Sequence, residues 1–237
     1  MPEIIDLEFY QKIQRSASVK SFRFYSDKPI KFIPGQFGKI IFDKGNISNK
    51  KVNKYLSFSS SPDKDYLEFT KKLSQSEFSQ KLDNLTKGDE IFIQAPLGDC
   101  IFKKEYQKIA FLVGGIGITP VISIIEYIIN KKLDTNVVLF YSNRTDRDIA
   151  FKERLDNWQN EFSNIKVVYT ITDSKPKNKG YIEGYIDKDL VLKNLEDFKE
   201  RVFFIFGPPQ MTDSMAKLCD DLGCNPGKVK KEGFLGY

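Results

Sequence analysis

The stretch Lys108-Ile-Ala-Phe-Leu-Val-Gly114-Gly115-Ile-Gly117-Ile-Thr119-Pro120 reads as a buried strand over 109–113 that runs into a glycine-rich turn and then a helix. Thr119 is a residue type that caps helix starts. Pro120 suits a first helical turn, because the N–H it lacks would be unpaired there. Gly114, Gly115 and Gly117 permit positive φ and let a ligand approach the backbone. The N–H groups of a helix start attract anions. Strand, turn and helix together suggest a diphosphate cradle, although a turn that only joins a strand to a helix looks the same. The rest of the chain has to decide.

Residues 109–129 are almost wholly apolar, so a membrane-spanning helix is a rival reading. Three glycines, Pro120 and Glu126 argue against a span. A buried strand followed by a buried helix explains the run better. Beyond it, strand and helix patterns alternate. Strands are expected at 109–113, 137–141, 165–172 and 202–206, and helices near 120–131, 149–159, 190–195 and 210–222. That order predicts an α/β, doubly wound parallel sheet.

Before residue 104 the pattern differs. Strands are expected at 22–25, 36–42, 54–60, 66–72 and 90–94, punctuated by Pro29, Pro34-Gly35, Pro62 and Lys87-Gly88. One short helix opens at Ser76, which can cap it. Many short strands with one late helix suggest a small antiparallel β-barrel. Two domains follow, over 1–104 and 105–237.

Composition narrows the chemistry. The chain of 237 residues contains no histidine, which removes Ser-His and Cys-His machinery and disfavours zinc or non-haem iron. Its three cysteines form no disulfide framework and cannot hold a four-cysteine iron–sulfur cluster. No metal site is expected, and redox chemistry here needs an organic cofactor. Residues 1–8 are acidic and read as the lead-in to a strand rather than a signal segment, so a cytoplasmic protein is expected. Residues 1–104 carry 18 Lys and Arg against 13 Asp and Glu, whereas 105–237 carry 19 of each, so the net +5 sits in the first half. A solvated lysine surface explains that excess, and so does a face for an acidic partner. The aromatics do not interleave with basic residues over the reach that a nucleic-acid groove needs.

The ordered set of motifs resembles the ferredoxin–NADP reductase superfamily. It comprises Lys54-Tyr55-Leu56-Ser57-Phe58-Ser59-Ser60, Ser76-Glu77-Phe78-Ser79, the Gly114–Pro120 loop, Phe206-Gly207-Pro208-Pro209-Gln210-Met211 and a terminal Glu232-Gly-Phe234. The resemblance covers essentially the whole chain. It implies an FAD-bearing barrel, a nucleotide domain for NADPH or NADH, and an active site between them. It also implies that hydride passes from nicotinamide to flavin, and that electrons then leave for an external acceptor such as an acidic ferredoxin, flavodoxin or cytochrome.

Carried over position by position, Lys54 stands where the family places an Arg on the flavin nucleotide's diphosphate, without that residue's bidentate fork. Leu56 replaces the aromatic that lies on the isoalloxazine, with Tyr55 beside it. Ser57 falls next to flavin N5, and Ser59 and Ser60 match the polar end of the motif. Ser76 and Ser79 fall on the helix start that binds FAD phosphate. Gly114, Gly115, Gly117 and Thr119 match the nicotinamide-nucleotide loop. Ser142 and Arg144 fall where adenosine ribose binds and could hold a 2′-phosphate, which favours NADPH. Phe206 replaces a cysteine near nicotinamide C4, ahead of Gly207 and Pro208. Glu232 helps set charge and geometry, while Phe234 covers the flavin, with Tyr237 an alternative cover. The departures at Phe206 and Leu56 also admit an electron-relay subunit of a larger complex. A flavin-free Rossmann dehydrogenase is a third reading, but the chain offers no histidine base for it.

Overall fold

A computed structural model describes residues 3–234. It divides into two compact units, Met1–Phe102 with Thr119–Lys131, and Lys103–Ile118 with Lys132–Tyr237.

The first unit is an antiparallel sheet of β1 (Glu3–Gln14), β2 (Val19–Tyr25), β3 (Phe37–Ile41), β4 (Asn53–Ser57), β5 (Leu67–Lys72) and, after helix α1 (Glu77–Asp83), β6 (Glu90–Leu97). The strand order is β4-β3-β6-β1-β2-β5. The edge strands meet through a Phe58–Phe69 bridge just past β4, which closes the sheet into a barrel. Alternation drives the closure: Leu7, Phe9, Phe22, Phe24, Ile40, Phe69, Ile91 and Ile93 point inward with Phe58 and Phe78. Burying each such side chain stabilises the barrel by about 1.5–3 kcal/mol. β1 carries a bulge at Tyr10, where the register shifts between Phe9 and Gln11.

The apolar run resolves into β7 (Lys108–Gly114), a single 3₁₀ turn over Gly115–Gly117, and α2 (Ile118–Asn130). Among the described residues no helix is long and apolar enough to cross a membrane. From Thr119 onward α2 clusters with the barrel strands. Ser123 donates to the Ser60 carbonyl at 2.7 Å, and the Ser61 N–H donates to the Glu126 carboxylate at 2.8 Å.

The second unit is a parallel sheet. It contains β7, β8 (Asn136–Asn143), β9 (Ile165–Ile171), β10 (Ile182–Glu183), β11 (Val202–Gly207) and β12 (Val229–Gly233) in the order β10-β9-β8-β7-β11-β12. Helix α3 (Lys152–Glu161) packs against β9. Helices α4 (Lys188–Asn194) and α5 (Pro209–Asp221) cover the face formed by Ala110, Leu112, Val138, Phe140, Phe203 and Ile205. The central strands are buried on both faces, which accounts for their unbroken apolar sequence.

Candidate functional site

Around the barrel, β4 carries Lys54 and β5 ends at Lys71-Lys72, next to the start of α1. An open cavity of about 660 Å³ lies there, lined by Lys50, Lys51, Lys54 and Ser76 with Ser48, Asn49 and Glu77. Burial, and then the like charge of Lys54, push the Lys71 ammonium below the usual lysine range. Two cations drawn together in this way are relieved by an anion. Ser76 is exposed at the helix start and caps it by accepting from the Ser79 N–H at 3.3 Å. Ser79 is buried, and its hydroxyl is occupied within that cap by Ser74 and Ser76. Of the two serines expected at a phosphate, Ser76 therefore faces outward and Ser79 supports it. Lys71, at the end of β5, belongs with Lys54.

Ser57 is buried at the end of β4. Leu56 packs half-buried against the barrel core. Tyr55 points the other way and is 60% exposed, with Phe37 edge-on at 5.7 Å and the Lys39 ammonium 5.4 Å over its ring. Pleating puts neighbouring residues on opposite faces, so Tyr55 and Leu56 face opposite ways. Ser59 and Ser60 differ from expectation. Both are wholly buried, and their hydroxyls serve the barrel seam. The Ser59 hydroxyl lies 2.7 Å from that of Thr70 and 3.3 Å from the Glu68 carboxylate, while Ser60 accepts the Glu68 N–H at 3.0 Å. Glu68 is itself buried and paired with Arg15 and Arg23, each at 2.9 Å. A buried carboxylate needs such company, and it draws the Ser59 hydroxyl inward, while the Glu68 backbone holds that of Ser60.

In the second unit, Gly114 ends β7, and Gly115 and Gly117 belong to the turn after it. Gly115 has φ +51° and open space where a Cβ would stand. At Gly117 a Cβ would come within 2.4 Å of the Phe206 carbonyl oxygen, so β11 and the turn touch backbone to backbone. This turn is a cradle that tolerates no side chain on its inner side and stays open at Gly115, which suits a diphosphate. Thr119 is not the helix cap. The chain is already 3₁₀ from Gly115 and α-helical from Ile118, so Thr119 lies buried inside the first turn.

At the end of β8, Ser142 is half-buried and Arg144 exposed. The Arg144 guanidinium lies 3.7 Å from the Asp173 carboxylate. Phe206 is fully buried, its ring stacked between Phe204 at 6.1 Å and Phe234 at 6.3 Å. It lies in the core, and half-buried Phe234 is the aromatic nearer the surface. The Phe234 N–H donates to the Gly207 carbonyl at 2.9 Å, and Pro208 leads into α5. Glu232, on the edge strand β12, stands opposite Phe206 in register. Tyr237 lies outside the described residues. Cys219 sits in the core, where burial and neighbouring Cys224 push its thiol up to about 12. Among the described residues no group of metal-ligating side chains occurs.

Two family models match. The oxidoreductase FAD-binding domain matches residues 6–102, and the oxidoreductase NAD-binding domain matches residues 111–217. The chain belongs to the ferredoxin–NADP reductase superfamily. It carries the FAD- and NAD(P)-binding domains of an NAD(P)H-dependent flavoprotein reductase. The FAD-domain match leaves no room for the flavin-free dehydrogenase reading. Among curated relatives, NADH-cytochrome b5 reductase 1 of Dictyostelium discoideum is 26% identical over 236 residues, covering 95% of this chain and 82% of the relative. NADH-cytochrome b5 reductase 2 of Mycosarcoma maydis is 30% identical over 151 residues, covering 62% of this chain. That alignment spans 43% of the relative, and a match to the NADH nitrate reductase of Cichorium intybus spans 25% of it, so the chain corresponds to less than half of either protein. In fold it is similar to a ferredoxin NADP+ reductase from Neisseria gonorrhoeae solved with FAD and NADP. The TM-score is 0.79 at 18% identity, covering 98% of this chain and 99% of that one.

Proposed function

We propose that this chain passes reducing equivalents from NADH through FAD to a one-electron carrier protein. The observation that carries the flavin half is that Lys54 and Ser76 line one cavity, with the Lys71 ammonium close enough to Lys54 to feel its charge, an arrangement that an FAD diphosphate would complete. Residues 1–104 would hold FAD and 105–237 the nicotinamide nucleotide. Bound FAD supplies the exchange between hydride transfer and single-electron transfer. The chain's own residues then position and protect. Lys54 and Lys71 would neutralise the FAD diphosphate, the Ser57 hydroxyl would be a donor to the flavin, and the open face at Gly115 would receive the coenzyme diphosphate. Glu232 and Phe234 would shape the nicotinamide end.

Coenzyme choice turns on Asp173. Ser142 and Arg144 alone favour NADPH, but the Asp173 carboxylate occupies Arg144 and would repel a 2′-phosphate. A carboxylate near the ribose suits a free 2′-OH instead. The names of the cytochrome b5 reductase relatives, which specify NADH, support this preference. Those names also make a haem carrier of the cytochrome b5 kind the first acceptor to try. The lysine excess of the first half suits a partner with an acidic face. A set of three cysteines that makes no disulfide framework suits a reducing compartment such as the cytoplasm.

The test is steady-state reduction of cytochrome b5 with NADH or NADPH, using the wild type and Asp173→Asn. The wild type should favour NADH in kcat/KM. The variant should shift that ratio toward NADPH by about tenfold, the equivalent of roughly 1.4 kcal/mol. An unchanged ratio would remove Asp173 from the reading. Efficient flavin reduction without electron delivery would remove cytochrome b5 as acceptor.

A further inference from the structure

Tyr141 is a wholly buried phenol on β8, where it follows the apolar run Val137, Val138, Leu139 and Phe140. Its hydroxyl donates to the Gly115 carbonyl at 3.1 Å and accepts the Ala150 N–H at 3.3 Å. One oxygen thus joins the turn after β7 to the turn after β8. Both turns lie at the carboxyl ends of parallel strands, where open α/β sheets bind their ligands. Burial raises the phenol's pKa, so it remains a donor at any working pH.

The partner is the residue that most needs restraint. Gly115 has φ +51° and open space where a Cβ would stand, so no side chain of its own restrains its backbone. Its carbonyl also accepts the Ile118 N–H, which belongs to the turn itself. Tyr141 is a donor from outside the turn. Because C=O and N–H point in opposite directions across a trans peptide, holding this carbonyl toward β8 turns the Ile116 N–H the other way. A glycine turn held in its binding shape before the ligand arrives saves the ligand the ordering cost.

We infer that Tyr141 is a positioning residue for the coenzyme's diphosphate, acting by pinning the Gly115 peptide. The inference rests on reading Gly114–Gly117 as the diphosphate loop. The neighbouring Tyr169 provides a matched control. It is a buried phenol whose ring lies 6.3 Å from that of Tyr141, but its hydroxyl donates to Asp156 at 2.8 Å and touches no part of the loop.

The experiment titrates the FAD-loaded wild type, Tyr141→Phe and Tyr169→Phe with ADP-ribose, then measures anaerobic flavin reduction at saturating NADH. Tyr141→Phe should bind ADP-ribose about tenfold more weakly, in line with one lost hydrogen bond. Its saturated reduction rate should stay within about twofold of wild type, since the loop does no chemistry. Tyr169→Phe should leave the affinity within the same margin. Equal affinity for wild type and Tyr141→Phe would overturn the inference while leaving the loop reading intact, as would an equal loss in Tyr169→Phe. A wild type that binds no ADP-ribose would overturn the loop reading and the inference together.

Discussion

Replacing Gly117 with alanine is expected to cut the second-order rate of flavin reduction at subsaturating NADH by on the order of 10²-fold while leaving FAD content unchanged, the loss that follows when a binding element shifts by about an ångström. An added Cβ would stand 2.4 Å from the Phe206 carbonyl oxygen, 2.6 Å from its carbon and 2.9 Å from the Gly207 nitrogen. All three are backbone atoms of β11, which is hydrogen-bonded to β7 on one side and β12 on the other. The strand cannot retreat, so the turn has to move away from it, carrying Gly115 out of place. Overpacking of this kind also costs about 1–3 kcal/mol of stability, which a thermal melt would detect. Gly115→Ala is the informative contrast. It meets no atom within 4 Å and carries only the strain of a positive φ, about 1–2 kcal/mol. Stopped-flow reduction of both variants should therefore rank Gly117→Ala as much the more damaged. Equal rates in the two would mean that close packing of the turn against β11 is irrelevant to coenzyme binding.

Lys54→Met should weaken FAD binding by roughly 10–100-fold, the range expected when a hydrogen bond to a charged group worth about 1.5–3 kcal/mol is lost. Methionine retains the apolar stem, so lost packing does not confuse the result. Lys71→Met should weaken binding in the same direction. The double variant should lose less than the two singles predict together, because each cation is relieved of its neighbour's repulsion when the other is removed. The pH dependence has a defined sign. Lys71 is held below the ordinary lysine pKa, so its charge disappears earlier as pH rises. FAD affinity should fall on the alkaline side, and Lys71→Met should flatten that fall. Fluorescence titration of apoprotein with FAD across pH measures both effects.

Much of this architecture was legible in the chain. The strand expected at 109–113 is β7, and the helix expected at 210–222 is α5, one residue earlier at each end. Both signals are local, because apolar runs bounded by glycine or proline set strand and helix limits directly. Features that depend on distant residues meeting were not legible. Lys71 and Lys54 lie on opposite edge strands, and only barrel closure brings them together. Asp173 is 29 residues beyond Arg144 and reaches it across the ends of β9 and β8. Ser59 and Ser60 carried the right residue types, but the buried Glu68 took up their hydroxyls. A glutamate among Leu67, Phe69 and Thr70 was the available signal, since a charge inside a core strand calls for partners. Thr119 does not cap the helix because a 3₁₀ turn starts it before the threonine is reached, and a motif alone does not reveal such a turn.

The central claim is that one chain holds both FAD and NADH and moves hydride between them. Anaerobic titration of the FAD-reconstituted protein with NADH, followed by the flavin's visible absorbance, tests it most directly. The prediction is bleaching of the oxidised flavin bands at one equivalent of NADH per FAD. A protein that binds FAD and stays yellow with excess NADH and NADPH alike would contradict it and favour an electron-relay subunit.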